Sequence, residues 1–153
     1  MKTESTLEIL PIPQIGEVFE LTFDPAEANP IEMVRRAGYD AAAKWVFNGP
    51  EVTGTPTSKF KLVNVGYRPN IDEVNRVLVE QHGPPALGQW REAFKKKYTR
   101  SDRRGPIGFT GSEWVSRVFF FPYIDHDDAS DPFPFRWTYA ELSLRWRFVV
   151  EVR

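Results

Sequence analysis

The sequence predicts an α+β fold, with a mainly antiparallel or mixed sheet of about five strands and about three helices packed on one face. The stretch Leu142–Arg153 alternates apolar and polar side chains, which is typical of a strand with one buried and one exposed face. The stretch Trp114–Ile124 is apolar on both faces, so we expect a central strand that pairs with the last one. Capping residues at Asn29 and Asn70 indicate helices.

One domain is expected from the length and composition. Folding a chain of 153 residues removes roughly 68–70% of its unfolded surface from water. Apolar residues make up 41% of the chain, including 12 Phe and 5 Trp, which is enough material for a sizeable core. Residues 1–15 are polar and then proline-rich, and they predict a loosely held N-terminal arm. Residues 16–153 predict a single globular α+β domain.

The first strand and the first helix are expected early in this domain. Residues 18–23 alternate as in a strand, which Asp24-Pro25 would end. Asn29 is placed to cap a helix in which Pro30 occupies the first position. We expect this helix to be short, because Gly38 is a typical terminator.

Two more strands are predicted around a polar loop. The first is centred on Trp45–Phe47, and the second covers Phe60–Tyr67. Between them, Gly49–Ser58 is rich in Gly, Pro, Thr and Ser, which predicts a long hairpin loop.

The second and third helices follow from capping and spacing. Asn70 stands three residues before Glu73, and apolar residues follow at helical intervals. A third helix is expected at about Leu87–Tyr98, with Trp90, Phe94 and Tyr98 on its inner face. A short extended piece is expected at Ile107–Phe109.

Charge and composition exclude several classes of protein. The formal net charge of -1 argues against attraction of the whole protein to nucleic acid or to anionic lipid. The absence of cysteine excludes disulfides and thiolate metal sites. We expect no export signal, no membrane segment and no cofactor, and a cytoplasmic location.

A basic segment on the third helix and the following loop is a candidate polyanion-binding site. Cations interleaved with aromatic rings can bind a phosphate backbone while a ring stacks on a base. The alternative is a solvated helix face whose last turn stabilises the helix dipole. The candidate residues are Arg91, Lys95, Lys96, Lys97, Arg100, Arg103 and Arg104.

An acidic connection before the last strand is the candidate metal site. Four carboxylates and an imidazole fall within seven residues, and hard cations prefer carboxylate oxygens. The spacing does not match an EF-hand, so the site would be irregular; the alternative is a soluble acidic loop. The candidate ligands are Asp125, His126, Asp127, Asp128 and Asp131.

No catalytic motif is recognisable. The glycines at Gly105, Gly108 and Gly111 follow a helix and precede a strand, which is the wrong order for a dinucleotide fingerprint, and they are interpreted as turn glycines. There are two histidines and no nucleophile elbow, whereas the 21 acidic residues leave carboxylate acid–base chemistry open.

The resulting prediction is a non-enzymatic module that binds a protein partner or a second copy of itself. The abundance of aromatic residues and the opposite charges of segments 91–104 and 125–131 favour it, although those charges could also pair within one chain. The first alternative is binding of nucleic acid or another polyanion through the basic third helix and loop. The second is a metal-dependent enzyme at the acidic 125–131 loop.

Overall fold

The α+β prediction is confirmed by the computed structural model, which describes residues 10–39, 44–100, 102–125 and 135–153. Within these residues it has three helices and one mixed sheet of eight strands. The helices are α1 (Pro30–Arg36), α2 (Ile71–Gln81) and α3 (Trp90–Lys97). The strands are β1 (Phe19–Thr22), β2 (Val46–Asn48), β3 (Thr57–Val63), β4 (Ile107–Gly108), β5 (Glu113–Ser116), β6 (Val118–Ile124), β7 (Phe135–Trp137) and β8 (Arg147–Glu151).

The strands are arranged in the order β1-β3-β8-β4-β6-β5-β2, and β7 pairs with β6 off this path. All neighbouring pairs are antiparallel except β4 and β8, which run parallel. The prediction that Gly49–Ser58 is a hairpin loop is wrong, because the strands on either side of it do not pair with each other. β2 pairs with β5, whereas β3 pairs with β1 and β8. That stretch therefore connects strands in different parts of the sheet.

The predicted strand Trp114–Ile124 is a hairpin. The chain reverses between β5 and β6, and Arg117 in the turn has φ 69°. A non-glycine residue in this left-handed region is uncommon, so the sequence carries no ordinary turn signal here. Together with the short strands β4 and β7, this hairpin raises the number of strands from the expected five to eight.

The last strand differs from its prediction in partners and in burial. β8 pairs with β3 and β4, not with the stretch Trp114–Ile124. Leu144 was expected on the buried face but is 67% exposed, because regular strand structure begins only at Arg147. Arg147 was expected in solvent but is only 4% exposed, and Phe148, Val149 and Val150 are all buried. Both faces of β8 therefore lie inside the protein.

The burial of β8 on both faces follows from the position of the helices. We expected all three on one face, but the alternating residues of β3 and β8 belong to two separate cores. α2 packs on one face and α1 and α3 on the other. The first core includes Val34, Phe60, Leu62, Trp90, Phe94 and Val149. The second includes Val63, Val74, Val77, Leu78, Phe121, Phe148 and Val150.

Both predicted helix caps are confirmed. The Asn29 side chain accepts hydrogen bonds from the N–H groups of Ile31 and Glu32, each at 3.1 Å. The Asn70 side chain accepts one from the N–H of Glu73 at 3.0 Å. These bonds satisfy N–H groups that have no partner inside the helix, and they explain why both helices begin where the sequence indicates.

The N-terminal arm is described from Leu10 onwards. Within it Ile12 and Pro13 are buried, and Ile15 forms a parallel bridge with Leu62. Across the described ranges, no helix is long and apolar enough to cross a membrane.

An irregular segment, Phe109–Ser112, separates β4 from β5, and we call it the bulge. The N–H of Gly111 donates to the carbonyl of Ala86 at 2.8 Å. A Cβ at Gly111 would lie 2.7 Å from that same carbonyl oxygen, so glycine is required for this close approach. Gly111 therefore allows two backbone segments to pack closely, whereas we had interpreted it as a turn residue.

Side chains tie the bulge to the rest of the fold. The Thr110 hydroxyl donates to Asn75 Oδ1 at 2.6 Å, and Asn75 Nδ2 donates to the Thr110 carbonyl at 3.2 Å. The N–H of Gly88 donates to the Ser112 hydroxyl oxygen at 2.7 Å. Because Thr110 and Ser112 are almost fully buried, these bonds satisfy groups that water cannot reach.

The reciprocal bond between Thr110 and Asn75 makes a prediction about stability. Replacing Thr110 by Val keeps the shape but leaves Asn75 Oδ1 without its donor, which should lower the free energy of unfolding by about 1–2 kcal/mol. The control is Thr53→Val, an isosteric change at an exposed residue. Urea unfolding should separate the two variants, and equal stabilities would show that the bond does not stabilise the bulge.

Candidate functional site

The predicted polyanion-binding residues lie on α3 and on the loop after it, and three of them have partners within the fold. Arg91 is 9% exposed, and its Nε donates to the carbonyl of Tyr123 at 2.8 Å. Lys96 Nζ binds Glu27 Oε1 at 2.7 Å, and Lys97 Nζ donates to the carbonyl of Glu20 at 2.7 Å. These three cations fasten α3 to neighbouring elements.

The remaining basic residues of this segment are Lys95, Arg100, Arg103 and Arg104, and all four are exposed. Lys95 and Arg100 have no ion-pair partner in the part of the chain that the structure describes. The polyanion hypothesis stays a prediction. Lys96 and Lys97 are exposed as well, so Arg91 is the one buried member of the candidate set.

Asp102 of the same loop, which is half-buried, forms an ion pair with the buried Arg147 of β8. Arg147 Nη1 lies 2.5 Å from Asp102 Oδ2, and Nη2 lies 2.9 Å from Oδ1 and 2.7 Å from the carbonyl of Gly105. Burial raises the pKa of Asp102, but hydrogen bonds from Arg147 and from the Arg104 N–H, with the charges of both arginines, outweigh it and leave the pKa lowered. This pair attaches the loop to β8, an interior strand of the sheet.

The acidic loop is only partly described. Asp125 directly follows β6 and is half-buried, whereas His126, Asp127, Asp128 and Asp131 lie outside the described residues. In the described ranges there is no group of three or more His, Cys, Asp or Glu side chains that could hold a metal ion. The metal-site hypothesis therefore stays a prediction.

A pocket that the sequence did not predict opens beside the bulge. Its volume is about 170 Å³, and it lies between the first turn of α2, the end of β2 and the start of β5. We call it the acidic pocket. It is lined by Asn48, Ile71, Asp72, Asn75, Thr110, Gly111, Ser112, Glu113, Phe121 and Thr138.

The wall of the acidic pocket is held rigidly. The amide of Asn75 and the hydroxyl of Thr110 bond to each other, and the hydroxyl oxygen of Ser112 accepts the Gly88 N–H. The carbonyl of Thr138 accepts the N–H of Ile71 at 2.7 Å, which fixes the start of α2 against the sheet. Hydrogen bonds within the fold therefore hold this part of the pocket wall, whereas Asp72 is exposed.

Two carboxylates give the acidic pocket its charge. Neither Asp72 nor Glu113 forms an ion pair in the described part of the chain, and none of the lining residues is Lys, Arg or His. Burial raises the pKa of Glu113, and the nearby charge of Asp72 raises it further. A positive charge in the pocket would offset the repulsion between the two carboxylates.

Three apolar side chains form a row across the strands next to this pocket. Val46 of β2 pairs with Val115 of β5, which pairs with Phe119 of β6. Val46 is 62% exposed and Phe119 44% exposed, and Val115 is half-buried between them. We call Val46, Val115 and Phe119 the apolar row.

The apolar row and the acidic pocket share one face of the sheet. Asn48 and Glu113 pair directly, and each is two residues from a member of the row on its own strand. Because alternate residues of a strand point to the same face, the pocket and the row form one continuous surface.

A wider groove of about 660 Å³ lies between β1 and α3. The ion pair of Lys96 with Glu27 and the bond from Lys97 to Glu20 both involve residues that line it. Its cations are therefore already neutralised or bonded. In the acidic pocket, by contrast, both carboxylates lack an ion-pair partner within the described residues.

Comparison with known proteins supplies no further information, because no protein family, no curated protein and no solved structure matches this chain.

The pair of Asp102 and Arg147 predicts a pH-dependent contribution to stability. The pKa of Asp102 is lower in the folded state than its ordinary value of 3.8, so the stabilisation is complete above that value and is lost as the pH falls below it. Asp102→Asn leaves Arg147 buried without its counter-ion and should cost about 2–3 kcal/mol at neutral pH.

Urea unfolding from neutral pH to about pH 2.5 measures this difference. The difference in free energy of unfolding between the wild type and Asp102→Asn should become smaller as the pH falls towards about 2.5. Glu73→Gln, which removes an exposed pair with Arg76, serves as the control and should change stability much less. If this difference stays constant over the whole pH range, the ionised carboxylate of Asp102 is not the source of the stabilisation.

Proposed function

We propose that this chain is a non-enzymatic binding module that docks a partner protein on the surface made by the apolar row and the acidic pocket. The observation that carries this proposal is the exposure of Val46 and Phe119 in one row across adjacent strands. Single exposed apolar residues are common on protein surfaces. Apolar residues that adjoin one another beside a preformed polar pocket are instead typical of an interaction site.

The position of α2 supports this use of the surface. α2 covers Phe121, which is fully buried, but Phe119, two residues earlier on the same face of β6, is 44% exposed. The row therefore lies just beyond the part of the sheet that the helix protects, on a rigid scaffold of three paired strands. Binding there requires little reorganisation of the backbone.

The chemistry of the acidic pocket favours binding over nucleophilic catalysis. Ser112 is the hydroxyl closest in sequence to Glu113, but its oxygen already accepts the Gly88 N–H, and no histidine lines the pocket to activate it. Two carboxylates beside an apolar row are better suited to recognise charge and apolar surface together.

A foreign partner is favoured over a second copy of this chain. A symmetric dimer through this surface would bring two acidic pockets towards each other. No Lys, Arg or His lines the pocket, and neither carboxylate has an ion-pair partner among the described residues, so the like charges of two copies would repel. We therefore expect a protein partner, and its location in the cytoplasm is part of the same proposal.

The proposal predicts that one substitution in the row abolishes docking. Phage-displayed peptides selected on the immobilised wild-type protein should include binders that lose at least about 30-fold in affinity for Phe119→Asp, because a buried aromatic contact at an interface is worth about 2 kcal/mol. A second variant, Val46→Asp, should have a similar effect.

The control is Val79→Asp, at an exposed apolar residue of α2 that lies outside the row. The selected peptides should bind this variant as they bind the wild type. Thermal unfolding shows whether each variant is folded. If no peptide distinguishes Phe119→Asp from Val79→Asp, the apolar row is not the docking surface.

A further inference from the structure

We infer that the acidic pocket receives a basic side chain of the partner, with arginine favoured, while an apolar side chain of the same segment contacts the apolar row. This inference rests on the proposed function, and it names the chemistry of the partner.

The charge of the pocket selects a cation. Asp72 and Glu113 reach it from two different elements, the first turn of α2 and the start of β5. Neither has an ion-pair partner within the ranges that the structure describes. The other polar residues of the wall are uncharged, and two of them, Asn75 and Thr110, bond to each other. A ligand with several N–H donors would supply the missing opposite charge.

The pocket is of a size that suits the head group of one side chain rather than a whole small molecule. Its volume of about 170 Å³ is well below the range of roughly 300–1,000 Å³ that is usual for a whole small-molecule ligand. A guanidinium or an ammonium group fits this space, whereas a nucleotide or an organic cofactor does not.

A divalent metal ion fits less well than an organic cation. Calcium takes six to eight oxygen ligands, and the described residues hold no cluster of three or more acidic or histidine side chains. Arginine is favoured over lysine because its planar guanidinium carries five donors and can bond to two carboxylates that approach from different sides.

The geometry of the sheet predicts the spacing in the partner segment. Glu113 in the pocket and Val115 in the row are two residues apart on β5, which places them about 7 Å apart along the strand. In an extended peptide, side chains two residues apart are separated by the same distance and lie on the same side. An apolar residue two positions from an arginine therefore matches the row and the pocket at once.

The test uses four labelled nine-residue peptides and fluorescence anisotropy at physiological salt. The first has leucine and arginine two positions apart at its centre. In the second, citrulline replaces arginine and removes the charge while keeping the shape. In the third, lysine replaces arginine. In the fourth, leucine and arginine are adjacent, so they point to opposite sides.

The arginine peptide should bind at least tenfold more tightly than the citrulline and the adjacent-residue peptides, with the lysine peptide in between. In Glu113→Gln, and independently in Asp72→Asn, the preference for arginine over citrulline should fall to less than threefold. Glu80→Gln, an exposed carboxylate at the far end of α2, is the matched control and should keep the full preference. Using two pocket variants guards against a loss of folding in one of them.

The outcomes separate the two levels of the proposal. Equal binding of the arginine and citrulline peptides, or a preference that survives in both pocket variants, overturns the inference. If such binding is still lost in Phe119→Asp, the docking surface stands and only the basic side chain is wrong. If the peptides bind Phe119→Asp as tightly as the wild type, or if no peptide binds at all, the inference is overturned. The phage-display selection described above then tests the proposed function independently.

Discussion

The bulge Phe109–Ser112 is the constraint on which the two halves of the sheet and the candidate site depend. Without it, β4 and β5 would be one continuous strand along β6, but the register with β6 shifts between Gly108 and Trp114. Bonds to Asn75 on one side and to the backbone at Ala86 and Gly88 on the other hold the bulge in place. Strand irregularities of this kind re-aim side chains and often lie next to functional sites.

Some charged side chains bond to other parts of the fold, whereas others have no ion-pair partner among the described residues. Arg91, Lys96 and Lys97 fasten α3, and the pair of Asp102 with Arg147 fastens the following loop to β8. Three of the seven basic residues of this segment therefore have a structural role, and binding of a polyanion by the segment stays a prediction. The two carboxylates of the acidic pocket have no such internal role among the described residues, although Asp72 is also well placed at the positive end of the α2 dipole.

Features that depend on interactions between residues close together in the sequence were predicted correctly. Asn29 and Asn70 cap the helices, and the inner faces of α2 and α3 follow from apolar spacing. The reversal at Arg117 was missed because the turn contains neither glycine nor proline. The burial of Arg147 was missed because alternation along one strand does not show that helices cover both faces.

The candidate site could not have been found in the same way. Asn48, Asp72 and Glu113 are far apart in the sequence, and only the pairing of β2 with β5 and the docking of α2 bring them together. The apolar row likewise exists only through the register of three strands, which no local pattern specifies. The abundance of aromatic residues led to the binding hypothesis, but composition gives no position for a binding surface.

Mapping the contact surface by NMR tests the central claim most directly. In a ¹⁵N-labelled sample titrated with the peptide that carries leucine and arginine two positions apart, we expect the largest shift changes at the backbone amides of Asn48, Glu113, Val115 and Phe119. Changes concentrated on Lys95 to Arg104, or on the groove between β1 and α3, would contradict the account and would place the binding surface on the opposite face of the sheet.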